Sequence, residues 1–159
     1  LEHRIGGLEK DFGSGNISYD PMNHEKMVHV RQAKVDRIAA DLKPLEVFGS
    51  PQGGKLLIVG WGSTYGAIRA ATQNAREQGK DVSHVHIRHL NPLPRDLGDI
   101  LRRYERVMIP EMNMGQLVMM IRAKYLIDAR SYSKVQGKPF KVSEIMSRID
   151  HELADLGSK

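Results

Sequence analysis

The stretch "KLLIVGWGSTYGAI", residues 55–68, constrains the fold more than any other part of the sequence. An apolar run bounded by glycines fits a strand buried on both faces, here Lys55–Gly60. Behind the glycines the period changes. From Ser63 to about Gln78, Ala67, Ile68, Ala71 and Ala75 recur on one helical face, and Gly79 supplies the stop. A strand turning directly into a helix must feed a further strand, which sets the rest of the chain a definite task.

That task is carried out twice more. Asp81–Arg88 reads as a strand, "NPLP" as punctuation and Arg95–Arg103 as a short helix. Arg106–Pro110 is a third strand, and Met112–Asp128 is a helix rich in Met, Leu and Ile. Ala129–Val135 gives a short fourth strand and "GKPF" a turn. Ser143 caps a last helix running to about Leu153. Alternating strands and helices imply an α/β fold in three layers, a mostly parallel central sheet with helices on both faces. This unit spans 55–150, with a frayed tail at 151–159. Before it, residues 1–23 ("GGLEKDFGSGNISYDPMN") read as an irregular interdomain segment with a mobile turn. Residues 24–54 hold a docking helix and a linker. Asn23 caps that helix over about 24–42, Met27, Val28, Val35, Ile38, Ala39 and Leu42 form its apolar stripe, and Pro44 ends it.

Composition narrows the function classes. The 159 residues suffice for one ordinary domain with a core. No apolar run approaches the roughly 18 residues of a membrane span, so no membrane partner is expected. There is no cysteine, which removes disulfides, thiolate metal sites and a cysteine nucleophile from this chain and fits a reducing compartment. The net charge of +5 is uneven: residues 1–50 carry 7 Lys/Arg and 8 Asp/Glu, residues 51–159 carry 17 and 11. A basic body favours an acidic partner or anionic ligand. Without a block of five basic residues, and with only 6% aromatics, the pattern does not favour nucleic acid, and no DNA partner is expected. The start "LEHRIGG" reads as the middle of a longer protein, a fragment or a processed product.

Ligands of open parallel sheets sit at the C-terminal ends of the strands. Those ends here are "GWGST", "RHLNPLP" and "PEMNMGQ", expected to converge on one rim. At the first, Gly60, Gly62, Ser63 and Thr64 would admit an anion to a helix start. Yet Tyr65 stands where the dinucleotide fingerprint needs its third small residue. Arg88 ends the next strand where an acidic ribose ligand belongs, and no lysine follows the glycines as in a P-loop. The turn therefore reads as structure or interface, with Ser63 and Thr64 as helix caps and a nucleotide site as the alternative. His84 and His86 share a strand face, with His89 off it. Two imidazoles lacking a cysteine or a carboxylate at metal spacing read as hydrogen-bonded or interface histidines rather than a zinc set. Glu111, Asn113 and Gln116 offer polar recognition at a helix start, or simply a capping box from Asn113 to Gln116. Met112 and Met114 suit a partner surface. No nucleophile–base pair emerges, and no catalytic residue is assigned.

Taken in order and spacing, "LEHRIGG", "YDPMNHEKMVHVRQAKVDRIA", "IVGWGSTYGAIRAA", "HIRHLNPLP", "MIPEMNMGQL" and "KVQGKPFKVSEI" closely resemble the C-terminal part of the alpha subunit of 2-oxoacid:ferredoxin oxidoreductases, nearest to the 2-oxoglutarate enzymes. The resemblance covers nearly the whole chain. It implies the fold of a transketolase C-terminal domain and of pyruvate:ferredoxin oxidoreductase domain II. The implied parent enzyme decarboxylates a 2-oxoacid oxidatively, forms an acyl-CoA and reduces ferredoxin. Thiamine diphosphate, Mg²⁺ and an iron–sulfur cluster are implied for the parent complex, with coenzyme A as co-substrate and no cofactor in this chain. Implied partners are the beta subunit, which holds the diphosphate, Mg²⁺ and cluster, ferredoxin through the complex, and further alpha-subunit contacts. A cytoplasmic location goes with them. In the parent, Glu2, His3 and Arg4 would approach the substrate region. Gly60, Gly62, Ser63, Thr64, Arg88, His89, Glu111, Asn113 and Gln116 are the remaining substrate-region or interface candidates. This chain is expected to serve assembly and to be inactive alone. The alternatives are a stand-alone coenzyme A- or nucleotide-binding domain, or a subunit acting on pyruvate or another 2-oxoacid.

Overall fold

The computed structural model describes residues 6–158. The chain divides into two compact units, residues 1–42 and 43–159.

The first unit is built on helix α1, Pro21–Ile38. It starts earlier than the sequence suggests. Asp20 caps it by accepting the N–H of Met22, and Pro21 occupies the first turn, where its missing N–H costs nothing. Asn23, expected as the cap, is instead buried: its amide donates to Lys10 O at 2.9 Å and its oxygen accepts Phe12 N–H at 3.0 Å. The segment expected to be irregular thereby folds back onto α1. Lys10 and Ile17 form a β-bridge, and Asp11 Oδ1 pins the turn between them by accepting from Gly13 N and Ser14 N. Glu9 grips Arg31 at 2.9 and 3.2 Å and His24 at 2.8 Å. Those bonds hold the Glu9 carboxyl down to about 2, Arg31 contributing most.

The second unit is the α/β body. Strands β1 (Val47–Phe48), β2 (Gly54–Trp61), β3 (Val82–Ile87), β4 (Tyr104–Glu111) and β5 (Arg130–Ser133) form a five-stranded sheet in the order β1-β3-β2-β4-β5. All neighbours run parallel except β1, which pairs antiparallel with β3. The stretch expected to be a linker thus supplies an edge strand. Helices α2 (Tyr65–Glu77) and α5 (Val142–Gly157) cover one face; α3 (Leu97–Leu101) and α4 (Gln116–Tyr125) cover the other.

The alternation along the strands explains the two cores. Leu57 and Val59 of β2 join Val85, Val107 and Ile109 under Leu97, Leu117 and Ile121. Leu56 and Ile58 face the other way, with Val82 and Met108, under Ile68, Ala71, Ala75, Ile145 and Ile149. Both faces are dry, which is why β2 reads as an unbroken apolar run. Truncating any of the fully buried leucines to alanine would cost about 2–5 kcal/mol.

Two further boundaries differ from the sequence reading. Helix α4 starts at Gln116 rather than Met112 and stops at Tyr125, where Leu126 turns into the left-handed region at φ 54. Helix α5 begins at Val142 with Lys141 at the cap position, whose N–H donates to Glu144 at 2.7 Å, so Ser143 is not its cap. The tail expected to fray from 151 is helical to Gly157, because Glu152 is buried in an ion-pair network with Arg106 and Arg148.

Candidate functional site

Three parallel strands end on the same rim, and the first helix after β2 leaves over one face while those after β3 and β4 leave over the other. Strand order reverses between β2 and β4, so the crevice outside their C-terminal ends is where a ligand of this architecture would sit. The candidate residues of the three turns reach this rim. Glu2, His3 and Arg4 lie outside the described residues.

At the end of β2 the glycines serve packing. Gly60 pairs in register with His86. A Cβ there would lie 2.9 Å from Ile68 Cδ1 and 3.0 Å from both His84 Nε2 and His86 Nδ1. Only glycine lets β2 run beneath those rings. Gly62, at φ 56, opens a single 3₁₀ turn, Gly62–Thr64, ahead of α2. Thr64 is buried, donates to Trp61 O at 2.8 Å and accepts Trp61 N–H at 3.2 Å. It clamps the turn and does not cap α2. Ser63 is exposed.

At β3, His84 and His86 do share the face toward α2. Tyr65, the residue that breaks the dinucleotide pattern, lies across both, with ring centroids 5.7 and 5.0 Å away, and the two imidazoles are 5.8 Å apart. His84 Nε2, His86 Nδ1 and Arg69 Nη1 are buried atoms without hydrogen-bond partners. Burial pushes the His84 pKa down to about 3, and His86 and Arg69 push the same way. His86 is lowered too, by burial first and Arg88 second. Both rings are therefore neutral at pH 7. Arg88 and His89 are exposed beyond the strand.

At β4, Glu111 is fully buried. One carboxylate oxygen accepts Leu117 N–H at 2.9 Å and the other Val118 N–H at 3.1 Å, so the side chain caps α4 from the strand before it. Asn113 Oδ1 accepts from Gly115 N at 2.8 Å and Gln116 N at 3.1 Å. Asn113 does contribute to the capping, but Gly115, at φ 87, occupies the cap position, and the main acceptor is Glu111. Gln116 is exposed on the first turn.

Thr64, Glu111 and Asn113 of the rim are thus already engaged with the backbone, while Ser63, Arg88, His89 and Gln116 are exposed. Among the described residues, no group of three or more His, Cys, Asp or Glu side chains is placed to hold a metal ion. The donors do not fit thiamine diphosphate with Mg²⁺ either. Glu111 uses both oxygens on α4, Asn113 uses its oxygen on the same turn, and the thiolates a cluster needs are missing from the sequence. Elsewhere, an open depression of about 540 Å³ lies between Tyr132, Ser143, Glu144, Ser147, Arg148 and His151, but Glu144 is committed to Lys134 at 2.7 Å. No helix among the described residues is long and apolar enough to cross a membrane. Sequence reading found the histidine pair through strand alternation. It missed Tyr65, which the helix brings over them, and Glu111, whose role a nearer Asn-x-x-Gln pattern obscures.

Residues 54–145 match the family model described as pyruvate:ferredoxin oxidoreductase core domain II. The chain is 52% identical over 145 residues to the 2-oxoglutarate oxidoreductase subunit KorA of Mycobacterium tuberculosis, covering 91% of this chain and 22% of that protein. It is 31% identical over 153 residues to the alpha subunit of 2-oxoacid:ferredoxin oxidoreductase 2 of Aeropyrum pernix, covering 91% of this chain and 24% of that one. The chain therefore spans about a quarter or less of the length of these relatives. Among solved structures, it superposes on a chain of the 2-oxoglutarate:ferredoxin oxidoreductase from Magnetococcus marinus, determined with 2-oxoglutarate, coenzyme A and succinyl-CoA bound. The TM-score there is 0.87 at 33% identity, over 95% of this chain and 27% of that one. A split-gene transketolase shares the fold at TM-score 0.54 and 17% identity, over 71% of this chain and 43% of that one. With its parallel sheet, its two-faced core and its rim of backbone-capping side chains, the chain belongs to the pyruvate:ferredoxin oxidoreductase core domain II family and matches the alpha subunits of 2-oxoacid:ferredoxin oxidoreductases.

Proposed function

We propose that this chain is the assembly domain of the alpha subunit of a 2-oxoglutarate:ferredoxin oxidoreductase. The whole enzyme would convert 2-oxoglutarate and coenzyme A to succinyl-CoA and CO₂ and deliver the electrons to ferredoxin. The observation that carries the reading is the rim. Its buried and half-buried polar side chains, Thr64, Glu111 and Asn113, hold turns and helix starts and are not left to act as acid, base or nucleophile. Such a rim supports structure next to a reaction rather than performing one. The choice of 2-oxoglutarate is supported by the 52% identity to the Mycobacterium tuberculosis subunit.

Thiamine diphosphate, Mg²⁺ and the iron–sulfur cluster would then belong to other parts of the complex, chiefly a beta subunit, with ferredoxin as the electron acceptor and coenzyme A as co-substrate. Glu2, His3 and Arg4 would lead toward the substrate region, and the complex would work in the cytoplasm. The test is 2-oxoglutarate- and coenzyme A-dependent reduction of methyl viologen by the full-length alpha subunit purified with its partner. Reduction is expected there and none from the 159-residue chain alone. Turnover by the chain alone would overturn the assembly role. Reduction only with a different 2-oxoacid would overturn the substrate.

A further inference from the structure

A second group of polar side chains stands outside the three turns of the rim. Along α5, Ser143, Ser147 and His151 recur at four-residue spacing and so form one row on the exposed side of the helix. With the half-buried Arg148, with Tyr132 of β5 and with Glu144, they line the open depression of about 540 Å³.

Two of these side chains are held in place from within. The Tyr132 ring packs against Phe140, 5.1 Å between centroids, and lies 5.5 Å from the Arg148 guanidinium. Arg148 reaches inward through Nη2 to Glu152 Oε1 at 2.6 Å. Its Nη1 has no partner among the described residues, and neither do the hydroxyls of Tyr132, Ser143 and Ser147 or the His151 ring.

The hydrogen-bond inventory narrows the ligand. Each of those five groups can donate a hydrogen. The one carboxylate in the wall, Glu144, is already taken: its two oxygens accept from Lys134 Nζ at 2.8 and 2.7 Å, and one also accepts Lys141 N–H at 2.7 Å. A depression whose unengaged groups can all donate suits a ligand that presents acceptor oxygens.

Charge selects the same class. All four acids of α5 are paired: Glu144 with Lys134, Asp150 with Lys80, Glu152 with Arg106 and Arg148, and Asp155 with Arg106 and Arg130. In the network behind the depression, three guanidinium groups (Arg106, Arg130, Arg148) meet two carboxylates (Glu152, Asp155), a net +1. The Arg106 and Glu152 side chains are 5% and 1% exposed, so this surplus is little screened by salt. Arg148 carries it to the wall of the depression, where a cation would be repelled and an anion drawn in. A guanidinium flanked by hydroxyls suits the several terminal oxygens of a phosphate.

We propose that the depression between α5 and β5 binds a phosphate group carried by a small molecule, with Arg148, Ser147 and His151 as its donors.

The test is an NMR titration of the isotope-labelled 159-residue chain with inorganic phosphate, at an ionic strength held constant with chloride. Saturable amide shifts at Ser143, Ser147, Arg148 and His151 are expected, with a dissociation constant of about 1 mM or below. The double variant Ser147→Ala/His151→Ala should bind at least fivefold more weakly at unchanged melting temperature, because both side chains are exposed and unbonded within the unit. Acetate should bind more weakly than phosphate. Linear shifts spread over the whole basic body would mean an adventitious ion only and would overturn the proposal. So would saturable shifts centred on the Gly62–Thr64 turn, or wild-type affinity in the double variant. Acetate binding as tightly as phosphate would overturn the assignment to a phosphate group.

Discussion

Acid should loosen the sheet through His84 before it affects most of the other groups that hold the second unit. The ring is 2% exposed, packed between Tyr65 and the backbone of Gly60, with Nε2 unpartnered and Arg69 nearby. Its pKa falls from 6.5 to about 3 on folding. Between those values the unfolded chain binds a proton that the folded chain refuses, so stability is complete above pH 6.5 and declines as the pH falls toward 3. One pKa unit corresponds to about 1.4 kcal/mol. The linkage amounts to about 2 kcal/mol lost between pH 7.5 and pH 5, and about 4 kcal/mol by pH 3. For a domain with a total stability of roughly 5–15 kcal/mol that is a large share.

The chain contains one tryptophan, Trp61, at the end of β2 beside Gly60, so urea unfolding followed by its fluorescence reports on the relevant unit. His84→Leu removes the titrating group and keeps a side chain of similar size against the Tyr65 ring. Wild type should lose about 2 kcal/mol more than the variant when the pH drops from 7.5 to 5. Glu144, whose carboxyl is lowered by Lys134, loses its contribution only as the pH falls below the ordinary carboxylate range, and it is present in both proteins. Equal losses in wild type and variant would refute the account of His84 as a buried neutral ring.

Three further outcomes follow from the same geometry. Glu111→Gln keeps one acceptor but sets an amide N–H against a helix N–H, and should cost about 1–3 kcal/mol in urea unfolding; an unchanged midpoint would remove Glu111 from its capping role. Gly60→Ala presses a methyl against Ile68, His84 and His86 and should cost about 1–3 kcal/mol, with part of the loss recovered by adding Ile68→Val, whereas a neutral alanine would show the strand has room to move. Arg106→Met strands the Glu152 carboxylate, 1% exposed, with Arg148 alone, and should cost about 3 kcal/mol; adding Glu152→Leu should restore most of it, and if the two losses simply added, the pair would not be coupled.

Much of the α/β body was legible because its signals are local. The buried run of β2, the spacing of α2 and the stop at Gly79 sit within 25 residues, and the folded chain keeps all three. What sequence reading misplaced are choices between equivalent chemistries. Asp20 and Asn23 are both competent caps, and Asp20 wins because Asn23 is needed by Lys10 and Phe12 across the turn. At α4, the visible Asn113–Gln116 pattern competes with a carboxylate that reaches over six residues from the previous strand. The length of α5 depends on Arg106, 46 residues from Glu152 in sequence, and no local pattern carries that. The strand ends of β2, β3 and β4 do lie on one rim, but the bonding of its side chains emerged only from the folded chain.

Open parallel sheets ordinarily spend the polar side chains at their strand ends on a ligand. Here the same positions are spent on the chain itself: Thr64 closes a 3₁₀ turn, Glu111 starts a helix, and Gly60 makes room for two neutral histidines. A carboxylate that is fully buried and accepts a backbone N–H at each oxygen is out of reach of a metal or a substrate in this conformation. That commitment has a second effect, because α4 is the element whose outer face carries the exposed methionines. Fixing its first turn from inside fixes the register of Met119, Met120 and Leu126 outside. In this arrangement the strand-end carboxylate determines which side chains α4 turns outward, Met119 and Met120 among them, while Leu117, Val118 and Ile121 enter the core.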